Sequence, residues 1–583
     1  IESNALTYTA TSSDTTKVTT AISGTNLILT YVANANGIVV ITLVATEDGD
    51  NSKTATDTFS VTVTAVNDLP VISTIGNQSA TEDVAFSKTI EVVDIDNATV
   101  CISAALNSGV DWLQQSKLLA SDGAANNRFG YSVSIDGYYA VVGENSGGNG
   151  AAYIFKRCGV TWTQQAKLIA NDGATSDYFG YSTSISGDYV IIGAYGSGGG
   201  AAYIFKRDGT SWSQQAKLVN SGFFGYSVSI NGDYAVIGAW TDSDNGSTSG
   251  AAYIFKRDAG AETWSQQSKL LAGDGVANDR LGNTVAINGD YAVIGAYGAA
   301  SFMGAAYIFK RDAGAETWSQ QAKLTASSGA ANHRFGISVS IKGDYIIIGA
   351  TYEVYGSVYI YKRNGTSWSQ QDKLTASDGV TNDYFGGSVS IYDDYAIIAA
   401  SGTDVIGANS GSAYIFKRDA GAETWSQHAK LLAGDIATGD LFGNLVAING
   451  DYAIIGAPLN DDTGDNSGSA YIFNTKVLPS WLSLTNIQDK SATLSGTPLN
   501  GDDGVYSITV TAHDGEASAS ETFNLTVNAI NDTPTVANAI SDVTVDEDAS
   551  QTVIDLTNVF SDVESDALTL TVVSSNTSLV TAA

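Results

Sequence analysis

The chain has 583 residues, too many for one hydrophobic core, since single cores stop growing near about 250 to 300 residues. It contains 61 Gly and 29 Tyr but only 5 Pro and 1 Met, a composition that favours strands joined by glycine turns over helices. The net charge of −33 argues against nucleic acid as a partner, because phosphate binding needs a basic surface. We therefore expect several all-β domains.

The acidic charge is concentrated outside residues 112–473. The two flanks together hold 28 acidic and 5 basic side chains, a net charge of −23 over 221 residues. Domains that concentrate carboxylates in this way either repel one another into extended arrays or are neutralised by divalent cations. No signal peptide is evident and no apolar run approaches the ~18 residues of a membrane span, so we expect none in this segment.

Residues 1–66 and 531–583 are interpreted as parts of neighbouring domains. The six residues from Glu2 to Thr7 match those from Glu564 to Thr569, and the similarity continues in phase through a Ser-Ser pair. Residues 1–66 are thus the C-terminal part of one domain, and 531–583 are the N-terminal part of the next. Ala-Val-Asn-Asp at 65–68 and Ala-Ile-Asn-Asp at 529–532 mark two joints of a tandem array.

Residues 67–108 and 476–530 are interpreted as the two halves of one interrupted domain. The first half carries Thr-Glu-Asp at 81–83 and Asp-Ile-Asp at 94–96; the second carries Leu-Pro-Ser-Trp-Leu at 478–482 and Ser-Gly-Thr-Pro at 495–498. In this order the motifs resemble a cadherin-like domain of the dystroglycan and putative-Ig type. The resemblance implies a cadherin/Ig-like β-sandwich of a bacterial surface adhesin, interrupted by residues 109–475.

Residues 109–475 contain an internal repeat with a period of 50 to 57 residues. Each copy reads W-x-Q-Q-x-K-L, F-G-x-S-V-S-I, G-D-Y-A-I-I-G-A and G-A-A-Y-I-F-K-R. The leading tryptophan recurs at Trp112, Trp162, Trp212, Trp264, Trp318, Trp368 and Trp425. Four strand-length runs make one blade, and seven copies predict a seven-bladed β-propeller.

The phase of the repeat predicts how the ring closes. The region begins with the W-x-Q-Q run at 112–120 and stops after the third run of the last copy, at 470–473. We expect strand 112–120 to complete the last blade, which places the two ends of the propeller side by side. An insertion with adjacent ends costs its recipient domain little more than a surface loop.

The repeat resembles the FG-GAP repeat of integrin α-subunit heads and of many bacterial surface proteins. Integrin blades can carry a D-x-D-x-D-G calcium site between their first two strands. Here that connection is a tight turn such as Gly232-Asp233. It is too short to supply the six to eight oxygens that calcium takes, so we expect no calcium site of this kind.

The Asn-Asp-x-Pro linkers beside acidic pairs resemble cadherin joints, where calcium stiffens the boundary between domains. The resemblance implies a first calcium site from Asn67, Asp68, Asp94, Asp96 and Asp514, and a second from Glu82, Asn531, Asp532 and Asp562. Joints that gather carboxylates and carbonyls can supply the oxygen ligands of calcium. The alternative is an Asx-capped turn with solvated acids.

Two acidic loops within the propeller are further candidates for a cation. They contain Asp242 and Asp244 in the third blade, and Asp461, Asp462 and Asp465 in the seventh. Oxygen-rich loops of this length suit a metal ion, but Gly/Asn/Asp loops are commonly turns.

The loop between the second and third strands is the most variable part of the repeat, so the ring does not dictate its sequence. Its aromatic residues are our candidates for a ligand-binding face: Tyr195, Trp240, Tyr297, Phe302, Tyr352 and Tyr355. Aromatic side chains beside polar groups are common binding anchors. The alternative is packing against neighbouring loops.

No constellation of catalytic residues breaks the repeat, since the three histidines are scattered and no nucleophile elbow or phosphate loop is found. We predict an extracellular, calcium-dependent adhesion segment at a bacterial cell surface, not an enzyme, with a surface protein or glycan as partner. A structural spacer or sheath component is the alternative.

The two cysteines, Cys101 and Cys158, leave open a single bridge or two free thiols.

Overall fold

The computed structural model describes residues 5–47, 53–97, 99–107, 112–145, 148–485, 487, 490–531, 533–562, 567–578 and 580. The chain divides into two compact units, one formed by Ile1–Asn107 with Leu478–Ala583 and the other by Ser108–Val477. The sequence match between residues 2–7 and 564–569 lies partly outside the described residues, and Asp532 lies outside them as well.

The first unit begins with strands of two small sheets and continues into a sandwich. Its strands are β1 (Leu6–Ser12), β2 (Val18–Ser23), β3 (Asn26–Tyr31), β4 (Gly37–Glu47), β5 (Thr54–Val63), β6 (Val71–Ile72), β7 (Gln78–Thr81), β8 (Phe86–Val93) and β9 (Cys101–Leu106). Strands β1, β4 and β5 form an antiparallel sheet, and β2 pairs with β3. Val18, Val39 and Ile41 form their buried core.

The second unit consists of strands and one four-residue helical turn. Its elements are β10 (Leu113–Leu118), β11 (Phe129–Asp136), β12 (Tyr139–Glu144), β13 (Ala151–Cys158), β14 (Thr161–Leu168), β15 (Ser182–Ser186), β16 (Tyr189–Ala194), β17 (Ala201–Asp208), β18 (Ser211–Val219), β19 (Ser227–Asn231), β20 (Tyr234–Ala239), β21 (Ala251–Asp258), β22 (Thr263–Leu270), β23 (Val285–Asn288), β24 (Tyr291–Ala296), α1 (Ala299–Phe302), β25 (Ala305–Asp312), β26 (Thr317–Leu324), β27 (Val339–Lys342), β28 (Tyr345–Ala350), β29 (Ser357–Asn364), β30 (Ser367–Leu374), β31 (Val389–Tyr392), β32 (Tyr395–Ala400), β33 (Ser412–Asp419), β34 (Thr424–Leu431), β35 (Val446–Asn449), β36 (Tyr452–Ala457) and β37 (Ser469–Asn474).

These strands form seven four-stranded sheets arranged as a ring. Six sheets use four consecutive strands, from β11–β14 through β31–β34. The seventh combines β35, β36 and β37 with β10, which pairs with β37 from Leu113 opposite Asn474 to Leu118 opposite Ala470. The innermost strands contact one another in order, and β35 contacts β11. The structure is the all-β, seven-bladed propeller that the repeat predicts.

The remaining strands return to the first unit. They are β38 (Leu482–Thr485), β39 (Ser491–Gly496), β40 (Gly504–His513), β41 (Ser518–Asn528), β42 (Thr535–Val536) and β43 (Phe560–Ser561). β39 pairs with β8, β40 with β9, and β41 with β7, so two sheets mix strands from before and after the propeller. Ile102, Leu494 and Ile508 are fully buried between them. The relation of this sandwich to cadherins stays a prediction.

The Phe-Gly pair joins each blade to the preceding one through backbone contact. Phe179 bridges to Gly150 of the blade before it, and an equivalent bridge occurs in all seven blades. A Cβ added at Gly180 would lie 2.2 Å from the Ala151 oxygen, and one at Gly143 would lie 2.1 Å from the Gly180 oxygen. Only glycine lets two backbones approach this closely. These glycines therefore set the spacing of the ring.

Polar links at the outer strands and on the turn side join neighbouring blades as well. Trp212 Nε1 donates to Gln165 Oε1 of the preceding blade at 2.9 Å. The same bond recurs at Trp162, Trp264, Trp318 and Trp368. Arg257 donates to Asp233 of its own blade, and its guanidinium lies 4.7 Å from the ring centre of Tyr189 in the blade before. The repeated arginines thus have a structural role.

Replacing Gly180 by alanine should open the contact between the first two blades. The added Cβ would meet a backbone oxygen at a φ of +89°, and neither backbone can move without disturbing its sheet. We expect the free energy of unfolding, measured by chemical denaturation, to fall by more than about 3 kcal/mol. Gly187→Ala is the matched control, because its φ is +55° but the space around it is open. The Gly187→Ala variant should lose about 1–2 kcal/mol of unfolding free energy. An equal loss in both variants would contradict the role of the close backbone contact in the ring.

Candidate ligand-binding face

The residue before each Phe-Gly pair has an uncommon backbone conformation. None of these residues is glycine, yet their φ angles all lie between 54° and 60°. They are Arg128, Tyr178, Phe223, Arg280, Arg334, Tyr384 and Leu441. Residues other than glycine rarely adopt this left-handed backbone conformation, so the surrounding ring must enforce it at each of the seven positions. The side chain itself is free to differ between blades.

Aromatic rings from blades one to three form one continuous cluster. Tyr181 lies at its centre, with ring centroids 5.1 Å from Tyr131, 4.9 Å from Tyr226 and 4.6 Å from Tyr195. The cluster also includes Tyr178, Phe223 and Trp240. Edge-on, tilted and stacked contacts such as these stabilise aromatic pairs beyond the area that they bury.

Two arginines extend the cluster into blades four and five. The Arg280 guanidinium lies 5.3 Å from the Trp240 ring centre and donates to the Tyr297 hydroxyl. Arg334 lies 4.0 Å from the ring centre of Tyr352. Phe302 contacts Arg280, and Tyr384 contacts Tyr352. We name the whole set the aromatic–arginine arc: Tyr131, Tyr178, Tyr181, Tyr195, Phe223, Tyr226, Trp240, Arg280, Tyr297, Phe302, Arg334, Tyr352 and Tyr384.

Phe302 belongs to a strained turn between β24 and β25. Ala300, Ser301 and Phe302 have φ angles of 49°, 60° and 63°, so α1 contains residues in left-handed conformation. Such a conformation costs roughly 1–2 kcal/mol for each L-residue. Strain of this kind persists only where the surrounding structure enforces it, and it is concentrated at functional sites.

A cavity of about 430 Å³ opens at the centre of the ring beside the arc. The lining residues that follow the Phe-Gly pairs are Tyr131, Tyr181, Tyr226, Asn283, Ile337, Gly387 and Asn444. Asn283 is 7% exposed, and its Nδ2 donates to the Ile337 carbonyl at 3.2 Å. Its Oδ1 has no hydrogen-bond partner among the described residues. The cavity is thus aromatic on one side and amide-lined on the other.

Tyr181 and Tyr195 of the arc are neutral at physiological pH. Burial raises the pKa of Tyr181 far above its ordinary value, and the neighbouring Tyr131 and Tyr226 raise it further. Burial also raises the pKa of Tyr195 to about 12. A neutral phenol can both donate and accept a hydrogen bond. These residues therefore present hydroxyl groups and not charges.

Five of the six face residues predicted from the sequence lie in the arc, and Tyr355 does not. Tyr355 is 50% exposed and makes no ring contact among the described residues. Sequence reasoning missed the residues that flank the Phe-Gly pair, including Arg280 and Arg334. Their variation among the seven copies, like that of the neighbouring loop, was the signal that could have found them.

The acidic loop of the third blade already has a cation, supplied by a lysine. Lys269 Nζ lies 2.9 Å from Asp242 Oδ2 and 2.7 Å from Asp244 Oδ2. Tyr253 donates to Asp242 at 2.9 Å. Burial raises the pKa of Asp242, but Lys269 and Tyr253 outweigh burial and lower it overall. This loop forms an ion pair where a metal site was one of two predicted alternatives.

The acidic loop of the seventh blade has a similar arrangement. Lys117 of β10 pairs with Asp462 and Asp435. Asp461 Oδ1 accepts the Asn466 amide at 2.6 Å. The Asp465 carbonyl accepts the amide of Asn126, so that residue acts through its backbone. The loop thereby holds the closing strand in place.

At the first joint, the predicted calcium ligands lie in one hydrogen-bonded group. Asn67 Nδ2 donates to Asp514 Oδ2 at 2.8 Å, and the Asp68 amide donates to Asp96 Oδ2 at 2.6 Å. Asp94 is buried, and its Oδ1 accepts the Asp96 amide at 3.0 Å. Its Oδ2 has no partner among the described residues. In those same ranges, no three Asp, Glu, His or Cys side chains are grouped closely enough to hold a metal ion.

The first joint also borders a small cavity. Its volume is about 210 Å³, and Asp68 and Asp96 lie in its wall. Burial raises the pKa of Asp514, but hydrogen bonds from the Ala517 amide and the Asn67 side chain outweigh burial and lower it overall. Asp514 therefore carries a negative charge at neutral pH.

At the second joint, Glu82 is buried and holds backbone amides. Its Oε1 accepts the Gly501 amide at 3.1 Å, and its Oε2 accepts the Ile530 amide at 3.2 Å. The other predicted ligands are Asn531, which is exposed, Asp562, which is half-buried, and Asp532, which lies outside the described residues. Calcium at this joint stays a prediction.

Seven four-stranded blades joined by Phe-Gly contacts define residues 112–474 as a repeat-type β-propeller. The model of the FG-GAP repeat matches residues 112–155, 162–205, 212–255, 264–309, 318–361, 368–416 and 425–473, more than half of the chain. The chain therefore belongs to the FG-GAP repeat family.

Solved structures that are similar in fold share little sequence with the chain. Sqt1 from Saccharomyces cerevisiae is 11% identical, with 72% of this chain and 99% of Sqt1 covered and a TM-score of 0.36. TolB from Acinetobacter baumannii is 11% identical, with 64% and 81% covered and a TM-score of 0.26. The polysaccharide lyase Uly1 is 10% identical, with 67% and 100% covered and a TM-score of 0.37. Likenesses this weak carry no argument about function. A search of curated proteins found no match.

Cys101 and Cys158 are both disulfide-bonded, and neither thiol is free. Disulfides persist in oxidising environments and are rare in the cytosol. FG-GAP repeat proteins are typically extracellular, with which the disulfide is consistent. Within the described ranges, no helix has the length and apolar character needed to cross a bilayer.

Lys269→Met should destabilise the propeller strongly, because the Asp242 side chain is only 4% exposed and would lose its cation. Removing one partner of a buried pair costs about 3–5 kcal/mol. The folded-state pKa of Asp242 is lowered, so the loss should be full at neutral pH and shrink only as the pH falls below the ordinary aspartate value of about 4. Lys217→Met is the control, since its partner Asp172 is 53% exposed. It should cost at most about 1 kcal/mol in urea denaturation; equal losses at pH 7 would refute the distinction.

Proposed function

We propose that this chain is an extracellular adhesion segment whose propeller binds a surface protein or a glycan through the aromatic–arginine arc. The arc itself is the observation that supports the proposal. It occupies positions that the ring leaves free. Directly after the Phe-Gly pair the arc has Tyr131, Tyr181 and Tyr226, whereas blades six and seven have Gly387 and Asn444 there. Partly exposed rings beside guanidinium groups are the side chains that dominate binding hot spots. We propose binding alone, without enzymatic activity.

The cell-surface location belongs to the same proposal. The disulfide-bonded cysteines and the family support an extracellular position. A bacterial tandem-repeat adhesin is supported only by the motif resemblance of the flanking domains. In that setting the sandwich and its neighbours form a stalk, and the propeller is the part that meets the partner.

We further propose that calcium binds at the first joint. The support is the unpartnered, buried Oδ2 of Asp94, since an unpaired buried carboxylate oxygen is costly. The neighbouring Asn67, Asp96 and Asp514 supply further oxygens of the kind that calcium prefers. Bound calcium would neutralise the acidic charge gathered there and fix the linker.

Calcium should raise the melting temperature of the full chain, and excess chelator should lower it. A ligand at 100 times its Kd stabilises by about 2.7 kcal/mol, which shifts the melting temperature by several degrees. Asp94→Asn keeps the shape but removes the charge, and should abolish the calcium-dependent shift. Asp57→Asn on β5, where Asp57 is exposed, should retain it. A wild-type chain indifferent to chelation would refute the joint site.

An array of surface glycans and proteins, probed with the full chain, tests the adhesion proposal. Tyr352→Ala should weaken binding by about tenfold or more, as expected for an exposed ring in a hot spot. Tyr355→Ala is the matched control, because that ring is equally exposed but lies outside the arc. Absence of any binding at high micromolar concentration would instead favour the structural spacer.

A further inference from the structure

The propeller contains arginines with acidic partners and arginines without them. Those at the end of the third strand pair with an aspartate of their own blade: Arg207, Arg257, Arg311, Arg363 and Arg418. Arg280 and Arg334, which precede Phe-Gly pairs, make no ion pair with any described residue and lie against aromatic rings instead. Arg157, at the same strand position in blade one, and Arg128 likewise have no ion pair with a described residue, but neither lies in the aromatic–arginine arc.

The geometry of these two guanidinium groups leaves room for a ligand. Both lie near the ring of Tyr297, at 5.2 and 5.9 Å from its centre, so this ring connects the two cations. Aromatic faces take the flat sides of a guanidinium, whereas a carboxylate binds the N–H groups along its edge. The rings therefore hold the two cations in position. One N–H of Arg280 donates to the Tyr297 hydroxyl, and the other edge N–H groups of the two arginines can take an anion.

Two buried polar atoms near the arginines have no hydrogen-bond partner among the described residues, and they indicate which other groups the ligand has. Asn283 Oδ1, an acceptor on a side chain 93% buried in the cavity wall, has no partner among the described residues. Trp240 Nε1, a buried donor, also has none. Buried polar groups are normally hydrogen-bonded. A hydroxyl group both donates and accepts, so a ligand rich in hydroxyls could satisfy the two kinds of atom.

We propose that the arc on blades three to five binds an acidic oligosaccharide. Its carboxylates pair with Arg280 and Arg334, and its hydroxyls bond to Asn283 and Trp240. An acidic peptide offers the carboxylates but not a hydroxyl beside each of them, which is why the sugar is favoured. This inference rests on the proposed binding function and names the class of ligand.

The test uses the full chain and three probes: an oligogalacturonate, the same oligosaccharide with its carboxylates methyl-esterified, and a poly-glutamate peptide. We expect the free acid to bind, with an affinity that falls as salt rises. The ester and the peptide should bind at least about tenfold more weakly, because each lacks one of the two recognised features. The double variant Arg280→Gln/Arg334→Gln should lose a similar factor while keeping its melting temperature.

Arg128→Gln is the control, since Arg128 has the same position and φ in blade one but no ring contact among the described residues. An equal loss with Arg128→Gln, or equal binding of the ester or the peptide, would overturn the proposal. If the oligogalacturonate fails to bind while Tyr352→Ala still abolishes capture of another ligand, the acidic sugar is refuted and the adhesion function stands. If no ligand binds at all, both fail.

Discussion

The propeller depends on backbones that touch at the Phe-Gly pairs. At Gly180 an added Cβ would overlap the oxygen of Ala151, and the same close approach recurs around the ring. Because these contacts use backbone atoms and a glycine, they place little demand on the side chains before and after the pair. The ring thus fixes the position and conformation of those residues and leaves their identity open. The aromatic–arginine arc uses that freedom on blades one to six.

The acids within the propeller serve a second repeated arrangement. In each blade a lysine of the outer strand and a tyrosine of the third strand share a carboxylate, as Lys217 and Tyr203 share Asp172. The carboxylate comes from another loop in some blades, as with Asp242 and Glu353. The lysine–tyrosine–carboxylate arrangement is therefore kept, although the carboxylate comes from different sequence positions in different blades. It also pairs many of the acids of residues 112–473, whose net charge is −10, whereas the flanks have a net charge of −23.

The blade number, strand order and tight turns could be predicted because each of the seven copies has the same order of strand-length runs and turn residues. The arc could not be predicted, since its members meet across blades. Arg280 contacts Trp240, forty residues earlier in the sequence, and its left-handed backbone conformation has no sequence motif that would reveal it. Asn67 and Asp514 are 447 residues apart in the sequence, and only the resemblance to cadherin joints predicted that they lie together. The ion pairs of Lys269 and Lys117 were missed because a lysine on one strand gives no sign of which loop it will meet.

One pairing in the sandwich has a mechanical consequence. β7 and β41 are parallel neighbours, with Gln78 beside Leu525 and Thr81 beside Asn528. Tension applied at residues 70 and 530 pulls these strands in opposite directions along their length. All their hydrogen bonds are then loaded at once in shear, and none can open before the others. The whole propeller lies between the two strands in sequence, so a pull on the chain bypasses it until that bond ladder breaks.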